Sequence, residues 1–281
     1  MMRVRFFRQC LVIVSLHLMV VCAFAQPQPG DKEYKPVVGQ EGKDVVWVPT
    51  AQTLADKMLN IAQVTPQDYV IDLGSGDGRF VITAAKLGAR AHGIEYNPEM
   101  VELSKRSAAR EGVADKASFV KADLFESDFS TATVITMFLL PEINLRLRPV
   151  ILDLKPGTRI VSNSFDMGDW KADQTIMLGR EEGCDNNYCQ AFFWVVPAKV
   201  QGTWKLPQGE LTLKQEYQMV SGEFNSGKAR VSIADSRLSG SRISFKVGDT
   251  LYTGSVIGAA MEGTYTAGNQ SAKWSATRVA N

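Results

Sequence analysis

Three carboxylates, Asp72, Glu95 and Asp123, each close a short apolar run, and the first of them stands beside a cluster of glycines. The stretch from Tyr69 to Lys86 reads YVIDLGSGDGRFVITAAK. Val70, Ile71 and Leu73 have the pattern of a buried strand, Gly74, Gly76 and Gly78 break it, and a helical run of apolar and alanine residues follows. Glycines at a strand-to-helix turn let the backbone come close to a ligand, because no Cβ intervenes and unusual φ values cost little. Seventeen residues past Gly78, a second apolar run over residues 89–94 ends in Glu95. A carboxylate at the tip of a second strand is placed to accept hydrogen bonds from ribose hydroxyls. The pattern is that of a nucleoside-cofactor site.

The spacing and the charge narrow the cofactor. A dinucleotide loop is spaced G-x-G-x-x-G and cradles a pyrophosphate, whereas this loop is G-x-G-x-G and carries Asp72 and Asp77. Carboxylates repel a pyrophosphate and attract an ammonium or a sulfonium, which favours S-adenosylmethionine over NAD. The chain here resembles the class I S-adenosylmethionine-dependent methyltransferases, whose first motif is a D-x-G-x-G-x-G loop. The resemblance covers residues 45–197. It implies that Asp72, Gly74, Ser75, Gly76, Asp77, Gly78 and Arg79 hold the methionine part of the cofactor. It implies further that Glu95, with Tyr96 and Asn97, holds the ribose, and that Asp123, with Leu124, reads the adenine amine.

Methyl transfer from a sulfonium is an in-line displacement that needs alignment and exclusion of water more than a strong base. His92 is the one histidine outside the N-terminal segment and falls within a strand, so a histidine-based mechanism is not expected. After the fourth strand the chain reads MFLLPEINLRLRP, with Phe138, Leu139, Leu140 and Pro141 where relatives acting on nucleobase amines carry an N-P-P-Y-type motif. With Val48, Pro49 and Thr50 before the core and Arg79 in a DLGSGDGR loop, the chain is similar to a group of small methyltransferases. That group includes mitochondrial protein-lysine methyltransferases acting on a membrane-embedded part of the ATP synthase. The resemblance implies a lysine acceptor, with Thr50, Phe138 and Asn163 as catalytic residues, Leu140 in the acceptor channel and Trp47 as a wall. Asp166 and Trp170 are further candidates from the segment SNSFDMGDW, in which Phe165 reads as core packing. A small apolar acceptor such as a quinone or lipid, or a binding protein that transfers nothing, remain as alternatives. Two cysteines without two further ligands make no zinc site, and no metal is expected.

These residues require elements to carry them. The hydrophobic pattern predicts strands near 68–73, 90–95, 117–121, 132–138, 158–164, 174–181 and 190–196. Helices are predicted near 51–63, 78–88, 98–112 and 142–154. Such alternation gives an α/β fold, a Rossmann-like doubly wound seven-stranded sheet covered by helices, with ligands at the carboxyl ends of the strands. Beyond residue 198, short period-2 runs are separated by turns expected at Gly222, residues 225–227, Gly240, residues 248–249 and residues 268–269. Six to eight strands in about eighty residues predict a small all-β antiparallel meander or barrel, in the manner of a lipocalin-like module. The expected division is 1–25 signal peptide, 26–44 flexible leader, 45–198 methyltransferase domain and 199–281 β domain.

The N-terminus reads as a basic segment (Arg3, Arg5, Arg8), an apolar run and a small-residue site after Ala25. That is a secretory signal, with an uncleaved anchor as the alternative, and it places the mature protein in the periplasm. Cys184 and Cys189, alone after residue 25, then suggest a disulfide around DNNY. S-Adenosylmethionine is made in the cytoplasm, so export and cofactor stand in tension. Residues 26–198 carry 18 Lys and Arg against 24 Asp and Glu, while residues 199–281 carry 10 against 6. Neither half has the dense basic patch of a nucleic-acid binder. The expected partners are a protein or small-molecule methyl acceptor and, through the β domain, an envelope component.

Overall fold

The computed structural model describes residues 34–279. The signal-peptide reading, its cleavage site and the early part of the leader lie outside them. From Pro36 onward the chain belongs to one compact unit.

Strands β1 (Tyr69–Leu73), β2 (Arg90–Glu95), β3 (Ala117–Lys121), β4 (Val134–Met137), β5 (Arg159–Asn163), β6 (Gln174–Met177) and β7 (Gln190–Val195) form one sheet in the order β3-β2-β1-β4-β5-β7-β6. The first five are parallel, and β7 runs antiparallel between β5 and β6. Helices α1 (Gln52–Ile61), α2 (Arg79–Lys86), α3 (Pro98–Arg110) and α4 (Pro141–Leu152) cover it. β1 and β4 are almost wholly buried, as strands flanked by helices on both faces must be. The order reverses at β1, where β2 and β4 lie on opposite sides, and the glycine loop leaves the sheet there. A crevice at that point is where open α/β sheets take ligands.

The strand predicted over 174–181 is shorter. β6 stops at Met177, and Arg180–Glu182 makes a single 3₁₀ turn ahead of Gly183, whose φ is +82°. The leader expected to reach residue 44 folds from Val37 onward. Gly39 N donates to Trp47 O at 2.8 Å and Trp47 N to Gln40 O at 2.9 Å, and Glu41 bridges Val46, giving a hairpin-like turn.

Strands β8 (Gly202–Leu206), β9 (Gly209–Glu216), β10 (Met219–Asn225), β11 (Arg230–Ser239), β12 (Arg242–Val247), β13 (Thr250–Ile257), β14 (Ala260–Ala267) and β15 (Gln270–Arg278) close an up-and-down barrel, β15 pairing with β8. Gly222 is not a turn: it lies inside β10 opposite Leu213, where a Cβ would meet Thr212 O at 2.0 Å. The turn falls earlier, at Tyr217 and Gln218, with Tyr217 at φ +53°. An eight-stranded barrel is just wide enough for side chains to fill, and Trp204, Leu211, Leu213, Phe245, Met261 and Trp274 fill this one. The indole N–H groups of Trp204 and Trp274 donate to Val200 O and Thr253 O at 2.8 and 3.0 Å, so the aromatic interior leaves neither donor unpaired.

Candidate active site

The cleft at the reversal point opens over the carboxyl ends of β1, β2 and β4 and holds about 960 Å³ of space, part of it open to solvent. Asp72, Gly74, Ser75, Gly76, Asp77, Arg79, Glu95, Tyr96, Asn97, Asp123 and Leu124 all border it, as do Thr50 and Phe138. Gly78 and Asn163 do not.

The glycine loop is built for close approach. Gly74, Gly76 and Gly78 have φ of +75°, +52° and +81°, where an L side chain is strained. A Cβ on Gly76 would lie 2.8 Å from Trp47 Nε1, and one on Gly78 would lie 2.8 Å from Phe119 and Ser104. Gly74 N and Ser75 N both donate to Ile94 O, at 2.9 and 3.0 Å, which ties the loop to β2. The Ser75 hydroxyl is buried and has no hydrogen-bond partner.

Glu95 organises the loop as well as facing the cleft. Its Oε2 accepts from Gly76 N and its Oε1 from Asn97 N, each at 2.8 Å. Each oxygen retains a lone pair, so a bidentate contact to two ribose hydroxyls is still open. Asn97 caps α3, its Oδ1 accepting from Glu99 N at 2.9 Å, and its backbone N–H helps to place Glu95.

Asp72 is buried and accepts from Thr136 Oγ1 at 2.6 Å. Burial, reinforced by Asp77 and Glu95 and opposed by the Thr136 hydroxyl, pushes its carboxyl up to about 8. A cation seated in the cleft would relieve that burden. Asp77 is otherwise engaged: Arg79 Nε donates to it at 3.0 Å, and the two form an ion pair. Arg79 also donates to Thr50 O, joining the glycine loop to the acceptor side. Asp123 accepts from Phe125 N at 2.9 Å and from Lys43, a residue of the 37–47 turn that no sequence motif singles out. Lys43 also stands 5.2 Å from the Tyr96 ring centroid. The Lys43 ammonium holds the Asp123 carboxyl below its ordinary range.

On the acceptor side Thr50 is buried and accepts a hydrogen bond at 3.0 Å from Asn163 Nδ2. Asn163 is enclosed at the end of β5 and acts on the cleft through Thr50, not by touching a substrate. Trp170 is fully buried against Trp194 and Tyr217, away from the cleft, and Asp166 is exposed, accepting from Gly168 N at 3.0 Å. Phe165, expected in the core, is half-buried: it stacks at 6.2 Å on Phe138 and borders a second cavity with Leu140 and the 41–48 segment. Tyr188 completes that wall. The expected disulfide is present between Cys184 and Cys189, and Tyr188 sits inside its loop. His92 is half-buried in β2, bonded to Ser118 Oγ at 2.9 Å. Among the described residues no cluster of His, Cys, Asp and Glu could hold a metal, and no helix is long and apolar enough to cross a membrane.

The residues fit S-adenosylmethionine. A buried hydroxyl left unpaired at Ser75, a buried carboxyl at Asp72 whose ionised form a cation would stabilise, and free lone pairs on Glu95 suit its polar and cationic groups.

Comparison with known proteins agrees. Residues 72–174 match the model of the ANTKMT methyltransferase domain. The chain is 43% identical to a protein-lysine N-methyltransferase of Saccharolobus islandicus over 51% of this chain and 89% of that protein. It is 38% identical to a human lysine N-methyltransferase named for the ATP synthase over 39% of this chain, and it spans about half (48%) of that enzyme's length. A crystal structure described as an RNA methyltransferase from Salinibacter ruber, in complex with S-adenosyl-L-homocysteine, is 44% identical with a TM-score of 0.50. That match covers 54% of this chain and 96% of that one.

Proposed function

Because the chain belongs to the class I S-adenosylmethionine-dependent methyltransferases, among the relatives of the protein-lysine N-methyltransferases, we propose that it methylates the side-chain amine of a protein lysine. The observation that carries this reading is a complete cofactor cleft, with Asp72, Ser75 and Glu95 in place, adjoined by an aromatic-walled cavity suited to a slender cationic side chain. Bound S-adenosylmethionine supplies an electrophilic methyl group, which passes to the acceptor nitrogen as the electrons of the carbon–sulfur bond return to sulfur. Asp72 supplies negative charge beside the cofactor's cationic groups. Glu95 and the glycine loop fix the ribose end. Thr50, held by Asn163 and by Arg79, sets the floor of the acceptor side, and Phe138 narrows the passage and sheds water. The acceptor amine loses its proton to solvent before attack, so no side-chain base is required.

The Salinibacter structure's RNA description points to another acceptor class. The acidic balance of residues 26–198, 18 basic against 24 acidic side chains, weighs against a polyanionic substrate. Incubation with tritiated-methyl cofactor and lysine peptides is expected to label N-methyl-lysine, and Glu95→Ala to abolish the labelling. Label in RNA or in lipid extracts, with none in lysine, would overturn the reading.

We also infer that the protein works in the periplasm, its β domain meeting an envelope component. The basic-then-apolar N-terminus and the Cys184–Cys189 bridge support this. A full-length fusion to alkaline phosphatase, active only beyond the inner membrane, checks it, and an inactive but fully made fusion refutes it.

A further inference from the structure

Three aromatic rings from three separate elements meet beside the cofactor cleft. Phe138 follows β4, Phe165 follows β5 and Tyr188 precedes β7. Their centroids are 6.2 Å (Phe138–Phe165), 5.2 Å (Phe138–Tyr188) and 6.4 Å (Phe165–Tyr188) apart, and all three are partly exposed along one side of a cavity. The opposite side is the 41–48 segment, which brings Glu41 and Asp44. Lys43 belongs to the same segment; its ammonium pairs with Asp123 and stands 3.9 Å from Asp44. The cavity adjoins the cofactor cleft, with Phe138, Leu139 and Val48 lining both.

Each ring is anchored independently. Buried Asn144 of α4 donates to Phe165 O and Asp166 O, both at 3.1 Å, and Ser162 Oγ donates to Phe165 O at 2.6 Å. Phe138 is fixed by the end of a buried strand. Tyr188 lies on an otherwise exposed connection, residues 185–188, whose ends are joined by the buried Cys184–Cys189 bridge, and its N–H donates to Asn186 Oδ1 at 2.8 Å. A surface loop of this kind would leave its tip free to move; the bridge and the Asn186 contact hold the ring at the wall.

We infer that Tyr188, positioned by the Cys184–Cys189 disulfide, forms with Phe138 and Phe165 the wall that receives the acceptor's cationic side chain, facing Glu41 and Asp44. Aromatic faces attract an ammonium, and acids opposite them reinforce the attraction without a fixed ion pair that would hold back the nitrogen. Tyr188 is thus an acceptor-binding residue, and the bridge a positioning device. The inference deepens the lysine reading and rests on it.

The test uses n-butylammonium, a lysine side-chain mimic, titrated into the disulfide-bonded protein saturated with S-adenosylhomocysteine and followed by NMR. Saturation excludes binding at Asp72. Tyr188→Ala is expected to weaken binding about fivefold, the worth of one cation–π contact. Tyr188→Phe is expected to bind as the parent does, and Cys184→Ser/Cys189→Ser to weaken binding as the alanine does, with circular dichroism showing each variant folded. With lysine peptides, the alanine variant raises KM and leaves kcat nearly unchanged. Equal butylammonium affinity in parent and Tyr188→Ala overturns the inference even where lysine peptides are methylated. Loss of butylammonium binding in Tyr188→Ala, with no peptide methylated by the parent, keeps the wall and removes the lysine reading instead.

Discussion

At the scale of single residues, Asp72 shows a site working against the stability of its own fold. An acid whose folded-state value is raised holds its proton in the native protein over a range where the unfolded chain has released it. Between the ordinary carboxylate range and about 8, the native state therefore binds more protons, and stability falls as pH rises through that window. The full effect is on the order of 5 kcal/mol. Asp72→Asn removes it and keeps an acceptor for Thr136. The variant is expected to melt about 10 °C or more above the parent at pH 8.5 and only a few degrees (~3–6 °C) above it at pH 5, measured by scanning calorimetry. The same substitution should abolish binding of S-adenosylmethionine. A cation binds the carboxylate form better, so in the parent the cofactor's affinity should rise from pH 6 to 8 and level off above it. Isothermal titration across that range checks the sign, and an affinity that falls with pH would contradict it.

At the scale of elements, the cofactor half was legible because its chemistry sits at strand ends. β1, β2 and β3 announce themselves in the sequence, and Asp72, Glu95 and Asp123 fall within two residues of their carboxyl ends. The acceptor half was less so, because its wall is assembled from residues far apart in the chain, and Phe165 reads the same whether it faces the core or a cavity. Tyr188 carried a signal, an aromatic between two cysteines expected to pair, but nothing local to it names the cavity it faces. Lys43 carried none, since its partner Asp123 is 80 residues away. Two predictions belong here. Gly78 begins α2 at φ +81° with no room for a Cβ, so Gly78→Ala should cost about 2–4 kcal/mol and cofactor binding with it, read from urea melts. Lys43 occupies one lone pair of Asp123, the acid that the resemblance assigns to the adenine amine, and so competes with that amine for it. An exposed pair of this kind is worth up to about 1 kcal/mol, so Lys43→Ala should quicken S-adenosylhomocysteine association up to about fivefold. Trp47, above Gly76, reports the change by stopped-flow fluorescence, and an unchanged rate would mean that Lys43 does not guard the site.

At the scale of the molecule, the barrel is a packed body joined to the sheet along a definite seam. Trp170 stacks on Tyr217 at 6.0 Å and meets Trp194 at 5.9 Å, while Gln218 Nε2 donates to Lys171 O at 2.7 Å and Ala198 N to Gly240 O at 2.9 Å. Arg237 pairs with the half-buried Asp173 at 3.2 Å, and burial raises the latter's carboxyl. The seam is formed by β7, the segment that leads into β6, and α4, whose Arg148 stands 5.6 Å from the Tyr217 ring and whose Ile143 borders the cofactor cleft. Tyr217 is the ring that ties the β9–β10 turn to the methyltransferase half, and its left-handed backbone places it there. Alanine at 217 inherits the same backbone strain, so the substitution removes the ring's packing, about 2–4 kcal/mol, together with its contacts to Asp169 and Arg148. The parent should unfold in one calorimetric transition, because the two bodies share a buried aromatic contact. Tyr217→Ala should split that transition in two, with S-adenosylhomocysteine raising only the one that belongs to the sheet. A single transition in the variant, raised as a whole by the ligand, would mean that the remaining hydrogen bonds and ion pairs couple the halves without the ring.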